Sequence, residues 1–355
     1  MSHKTHTFSV KVNYTLTERH TFQAQCPGFQ YVPSVLPAVK RIIVIGDIHG
    51  DLDLAVRYFK ANNLIDDRLE WVAKPSDTVV VQVGDQIDSC RPAIGSGECK
   101  VKHTEGDLPE DVKVMEFFDT MHKKASVVGG AVYSLLGNHE IMNSQGDFNY
   151  VSYENKNNFE YNGHRGETGR RDAFAPGGSI AKQMACTRKT VLIIGSNLFV
   201  HAGIMPKLAY KLDQLDISNE DKVAYLNKAV REWLLNEVSH DKVTSTVLND
   251  MKLSPFWARV YGSIPEHTSM TDPKCADALG QVLSTFKVGS LIVGHTPQIT
   301  NGTSNINGTC AGPNGVNKLY RVDGGFAKAF KVENGSKVQV LEILNDNEFN
   351  IITAS

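Results

Sequence analysis

The chain predicts an α/β fold, in which parallel strands stack side by side and carry helices on their faces. Three observations lead there. Short, continuous, β-branched runs recur at 41–45, 78–83 and 131–136, the pattern of strands buried on both sides. Segments with apolar residues at helical spacing lie between them. Each run ends in a glycine-containing turn, and the ends of parallel strands are where open α/β sheets place their sites.

The elements follow in order. Phe8, Val10, Val12, Tyr14 and Leu16 alternate with mostly polar residues, so 7–16 predicts a half-buried strand. Gly28, Pro33 and Pro37 form a connector, setting 1–38 apart from a main body over 39–355. Leu52, Ala55, Tyr58 and Phe59 share one helical stripe over 52–63. Residues 89–109 read as a long loop, 110–124 as a helix, and 143–178 as a polar, glycine-rich stretch without periodicity. Strands are expected at 190–194 and 197–200. Within an insertion at about 205–275, Val223, Leu226, Val230 and Leu234 predict helix. A helix at 279–287 leads into a strand at 290–293. The tail reads as a hairpin, with Val338, Val340 and Ile343 before Asn345-Asp346-Asn347 and a second run at 349–352.

Composition narrows the function. With 355 residues, 41% of them hydrophobic and 21% charged, the chain is neither disordered nor fibrous. A net charge of −2 and the lack of a basic run argue against an extended nucleic-acid surface. No run approaches the roughly 20 apolar residues that span a bilayer, and residues 1–20 hold no apolar signal core. The six cysteines include no CxxC pair and read as free thiols of a reducing compartment, so a cytoplasmic location is expected. Cys90 and Cys99 are close enough to bridge, and Cys90, beside Asp88, has a second reading as a redox-sensitive thiol. Asn-x-Thr triplets such as those at Asn301 and Asn307 matter only in an exported protein.

The strand ends carry the chemistry. They deliver Gly46-Asp47-Ile48-His49-Gly50, Gly84-Asp85-Gln86-Ile87-Asp88, Gly137-Asn138-His139-Glu140, Val200-His201-Ala202-Gly203 and Gly294-His295-Thr296-Pro297. Any one of these could be an ordinary turn or a hydrogen-bonded histidine. Five in succession, each after an apolar run, are hard to obtain from turn chemistry alone. Asp47, His49, Asp85, Asn138, His201 and His295 supply three oxygen and three nitrogen donors. That mixture suits Mn²⁺, Fe²⁺ or Zn²⁺ better than Ca²⁺. Six donors exceed one tetrahedral ion and suffice for two divalent ions about 3.5–4 Å apart, with Asp85 the choice for a bridge.

These five motifs together resemble the motif series of the calcineurin-like metallophosphoesterases, most closely the phosphoprotein phosphatase branch. Residues 171–185, with Phe174 and Pro176-Gly177-Gly178, together with Phe256-Trp257-Ala258-Arg259-Val260-Tyr261 and Tyr320-Arg321-Val322-Asp323, resemble the Shewanella-like phosphatases. The resemblance covers about 40–330. It implies a four-layer αββα sandwich of two mixed sheets flanked by helices. It assigns Asp47 and His49 to a first metal, Asp85 to the bridge, and Asn138, His201 and His295 to a second. His139 matches the catalytic histidine and Asp88 the carboxylate that orients it. The implied reaction is direct attack of a metal-bridging hydroxide on a phosphomonoester, with His139 protonating the leaving oxygen and no phosphoenzyme.

A phosphate dianion also calls for a guanidinium. The family's arginine after the second motif is replaced here by Ser89, in Asp88-Ser89-Cys90-Arg91. Arg259, Arg91, Arg171 and Arg170 are the candidates, Arg259 first. Phosphoserine or phosphothreonine on a protein is the leading substrate, with phosphotyrosine next. A dinucleoside polyphosphate or nucleotide hydrolase, and a catalytically weak binding protein on the same fold, remain as alternatives. The histidines at 103, 122, 164, 240 and 267 read as structural or surface.

Overall fold

The computed structural model describes residues 14–92, 96–103, 105–215, 217–238, 242–332 and 337–354. Two six-stranded sheets dominate. One runs in the order Glu348–Ala354, Val338–Leu344, Arg41–Ile45, Val79–Gln82, Ala131–Leu135, Arg188–Lys189. Its last four strands are parallel, as the β-branched runs predict, and the C-terminal hairpin pairs antiparallel to Arg41–Ile45. The other runs Val35–Leu36, Val191–Ile194, Asn197–Val200, Ser290–Val293, Asn317–Arg321, Asn307–Ala311. It mixes parallel and antiparallel pairs.

Period-two alternation stacks the sheets. Leu192, Ile194, Phe199 and Ile292 pack with Ile42, Val44, Val80 and Val340 into a core that also takes the helices Leu52–Ala61 and Asp111–Ser126. The intervening residues Val191, Ile193, Leu198, Val200, Leu291 and Val293 face the opposite way. They join a second core with Leu208, Val223, Leu226, Val230 and Leu279 from the helices Pro206–Asp213, Asn219–Leu234 and Pro273–Phe286. The result is the four-layer αββα sandwich of two mixed sheets, with the helices Pro206–Asp213, Asn219–Leu234 and Pro273–Phe286 on one side.

Four expectations need correction. Tyr14–Gln25 is a helix, so no strand forms over the described end of 7–16, and residues 7–13 lie outside the described residues. Tertiary contact overrides the local alternation. Phe22 and Cys26 are buried, and the Glu18 carboxylate accepts from Arg231 Nη1 at 2.6 Å, a stripe with a spacing of four. The stretch 143–178 holds the helices Tyr153–Asn157 and Gly166–Phe174 and a small hairpin of Glu160–Tyr161 with His164–Arg165. The helix expected at 279–287 begins at Pro273, where Asp272 accepts from Lys274 N at 2.9 Å as N-cap. Finally, no cysteine is free. Cys26 pairs with Cys186, Cys90 with Cys99, and Cys275 with Cys310. Spacing along the chain is silent about partners 160 residues apart. The inference of a reducing compartment rested on free thiols and falls with them.

Candidate metal centre

Each candidate residue is set by the strand it follows. Asp47 and His49 follow Arg41–Ile45, and Asp85 and Asp88 follow Val79–Gln82. Asn138 and His139 open the helix Asn138–Ser144, His201 follows Asn197–Val200, and His295 follows Ser290–Val293. Parallel pairing within each sheet puts these tips at one edge. The approach is close: a Cβ on Gly137 would lie 2.1 Å from Asp85 Oδ1, and one on Gly294 2.3 Å from Asp47 Oδ1. Four site residues hold left-handed backbone, His49 (φ 48°), Asp85 (54°), Asp88 (73°) and His295 (67°). Such strain persists where a fold over-determines a site.

All six donors meet. Asp85 Oδ2 lies 3.3 Å from His201 Nε2 and 4.0 Å from His49 Nε2. His49 Nε2 is 3.8 Å from Asp47 Oδ2. Asn138 Oδ1 is 2.8 Å from His295 Nδ1 and 3.0 Å from His201 Nε2. The atoms form two groups that share Asp85: His49, Asp85 and His139 in one, Asp85, His201 and His295 in the other, each within 4.8 Å. All are buried.

The donor chemistry fits divalent cations. His201 Nδ1 lies 2.9 Å from Val83 O, His49 Nδ1 3.3 Å from Ile87 O, and His295 Nε2 3.2 Å from Trp257 O. A carbonyl only accepts, so those nitrogens carry the protons. In His49 and His295 the other ring nitrogen then turns a lone pair toward the Asp47, Asp85 and Asn138 oxygens, an arrangement that a cation between them resolves, while His201 Nε2 faces Asp85 Oδ2 at 3.3 Å. Burial and the Asp323 and Asp85 charges push the Asp47 carboxyl well above the ordinary range. Burial raises Asp323 to about 6, and its Oδ2 has no hydrogen-bond partner. Burial also disfavours charge on Asp85 and on His201, but their attraction wins, holding Asp85 well below and His201 above the usual values. Burial and neighbouring cations, Arg91 for His49 and His201 for His295, push those two imidazoles well below. Buried carboxyl oxygens crowded against imidazole nitrogens in this way suit a cation.

His139 belongs to the first of these groups and is also tied to Asp88. Its Nδ1 lies 2.8 Å from Asp88 Oδ2, and its Nε2 faces Asp85 Oδ2 at 3.8 Å. Asp88 is over-determined. Asn143 Nδ2 donates to both its oxygens at 2.9 and 3.0 Å, and Arg170 Nη2 donates to Oδ1 at 3.3 Å. Arg170 is fully buried and also donates to Asp111 Oδ2 at 2.8 Å and to Asn143 Oδ1 at 2.9 Å. Glu140 joins two loops, accepting from Gly137 N (2.6 Å), Asp85 N (3.0 Å) and Gln86 N (2.8 Å).

The arginines separate. Arg91 lies 4.9 Å from the Phe330 ring and 5.5 Å from the Tyr150 ring, within the field of Asp85, Asp88, Asp323 and Asp47, and burial lowers its pKa. Arg259 is exposed and donates to His295 O at 3.2 Å. Arg171 instead contacts Gly146 O (3.3 Å) and Glu167 (3.6 Å), and Arg170 is committed behind Asp88. Sequence reading missed Glu140, Asn143, Asp111, Tyr150 and Phe330. Two had a signal: Glu140 sits three residues after Gly137 at a helix start, and Asn143 one turn after His139. The others come from distant elements.

The fold and the donor set define a metal-dependent phosphoesterase. The sequence profile of the calcineurin-like phosphoesterases matches residues 40–298, and the chain belongs to that family. It is similar to uncharacterized protein R398 of Acanthamoeba polyphaga mimivirus, 52% identical over 68% of this chain and 99% of that one. Shewanella-like protein phosphatase 2 of Arabidopsis thaliana is 28% identical over 89% of this chain and 78% of that one. In three dimensions the chain resembles a cold-active protein-tyrosine phosphatase of a psychrophilic Shewanella, with a TM-score of 0.62 at 20% identity, covering 92% of this chain and 83% of the other.

Proposed function

We propose that the chain is a dinuclear-metal-dependent phosphatase of phosphomonoesters, acting on phosphorylated proteins. The observation that carries this is the buried convergence of Asp47, His49, Asn138, His201 and His295 on Asp85, with His139 at the same place and held by Asp88. Asp47, His49 and Asp85 would hold one cation, and Asp85, Asn138, His201 and His295 the other. Two divalent ions, when bound, supply an activated water and neutralise charge developing on the phosphoryl group. The chain does the rest. Asp88 keeps the His139 Nδ1 proton, which leaves Nε2 to deliver a proton to the departing oxygen. Arg91 and Arg259 bind the phosphoryl oxygens. Manganese is the expected metal, and iron or zinc fits the same donors.

The name of the Arabidopsis relative supports a protein substrate. Phosphoserine and phosphothreonine peptides are the first to test, phosphotyrosine the second. Among the described residues no helix is long and apolar enough to cross a membrane. Three disulfides support an oxidising compartment in place of the cytoplasmic location.

The test is hydrolysis of these peptides against diadenosine polyphosphates, with manganese added and with metal stripped. Metal-dependent release of phosphate from a peptide is expected. Preference for the dinucleotide makes the chain a nucleotide hydrolase, and bound metal without turnover makes it a binding protein. Asp85→Asn should lower metal content and nearly abolish hydrolysis; full activity in stripped buffer removes the metals from the reaction.

A further inference from the structure

Arg91 is tethered in a way the family pattern does not require. Its neighbour Cys90 is cross-linked to Cys99, nine residues on. Cys99 is buried in the short helix Glu98–Val101, and that helix is itself anchored, since Lys156 Nζ donates to Lys100 O at 3.0 Å. From the other side, Cys90 N donates to Tyr150 O at 3.1 Å. The Cys90 peptide is thus pinned from two directions. Its carbonyl is a partner of the guanidinium, accepting from Arg91 Nη1 at 2.8 Å, while Asp88 O accepts at 3.0 Å. The two rings that flank Arg91 reach the site. Tyr150 is 5.1 Å from the His139 ring and Phe330 5.3 Å from that of His49. Ser89 stands where the family carries its arginine, so here the phosphate-facing cation comes from a position two residues later and needs its own support.

We infer that the Cys90–Cys99 disulfide is a positioning element for Arg91 and that its reduction weakens binding of a phosphate dianion without releasing the metals. The inference rests on Arg91 binding phosphate, as proposed above. Opening the bond requires a dithiol. One dithiol thiolate attacks Cys90 Sγ, the S–S bond breaks, and Cys99 leaves as thiolate. The second dithiol sulfur then displaces Cys90. Two electrons and two protons pass to the cysteines, and the dithiol becomes a cyclic disulfide. Cys90 and Cys186 are half-buried whereas Cys275 and Cys310 are fully buried, so alkylation mapping must separate opening of Cys90–Cys99 from opening of Cys26–Cys186. Without the bond, the chain on either side of Cys90 regains conformational freedom that phosphate binding must remove again.

The experiment uses the metal-loaded full chain. Calorimetry of inorganic phosphate binding and steady-state kinetics on a phosphomonoester are run for wild type, for Cys99→Ser, and for wild type treated with dithiothreitol until alkylation mapping shows only Cys90–Cys99 open. Loss of a charge-assisted contact predicts about a tenfold rise in phosphate Kd and in KM, with kcat within about twofold and metal content unchanged. Dithiothreitol should add nothing to Cys99→Ser, and Cys99→Ser should add nothing to Arg91→Ala. Unchanged phosphate affinity on opening the bond overturns the inference, as does an equal loss with Arg91 already removed. Should Cys99→Ser not fold, the reduced wild type decides alone. A wild type that binds phosphate but hydrolyses no phosphomonoester sinks the phosphatase reading separately.

Discussion

His139 has two nitrogens with two tasks. Nδ1 is committed to Asp88 at 2.8 Å, and Nε2 faces the donor cluster. His139→Asn should keep its metal and cut kcat by about 10²-fold on a substrate with a poor leaving group, the scale of general-acid loss. An unchanged rate removes His139 from proton transfer. Behind it, burial raises Asp111 from 3.8 to about 6 against the pull of Arg170. A folded-state value above the unfolded one means folding favours the protonated form. That stabilisation is complete below about pH 4 and is lost as pH rises through about 6, on the order of 3 kcal/mol in all. Asp111→Asn should flatten this part of the curve of Tm against pH between 4 and 6. A slope identical to wild type assigns the titration elsewhere.

Among the elements, the loop tips are held to one another by buried hydrogen bonds. Glu140, in the first turn of the helix Asn138–Ser144, takes three backbone N–H groups from two loops. Glu140→Ala leaves buried donors without an acceptor, at about 1–3 kcal/mol each. Thermal unfolding should drop sharply and metal affinity should fall with it, because Asp85 N is one of those donors. A variant with wild-type Tm and metal content shows that the loops hold without the clamp. His295 is placed likewise by a remote element, through the carbonyl of Trp257.

The whole molecule is stapled at three places. Cys26–Cys186 ties the residue just after the helix Tyr14–Gln25 to the helix Ser179–Thr187 across 160 residues. Removing both of its cysteines should cost about 2–5 kcal/mol, read as a lower urea midpoint. Alkylation of the unreduced, denatured protein should modify none of the six cysteines. A single free thiol in the mass spectrum would contradict the pairing. The same end of the molecule holds the buried Glu18–Arg231 pair, so staple and ion pair act on one helix and their losses will not add independently.

Local pattern determined a good deal. The buried strands of the parallel sheet were legible because a continuous β-branched run has few other ways to hide. The six residues proposed as metal donors could be picked out because each follows such a run at a turn. The C-terminal hairpin showed itself through alternation around Asn345-Asp346-Asn347. Position in space decided the rest. Arg170, a phosphate-binding candidate by sequence, lies fully buried between Asp88 and Asp111, which are 23 residues apart. The alternation at 7–16 gave way at its described end to the helix Tyr14–Gln25, whose Glu18 meets Arg231 from far along the chain. The cysteines found partners up to 160 residues away. Chain order specifies near-neighbour chemistry, whereas an ion pair or a disulfide needs two side chains at one point, and only packing of the layers brings them there.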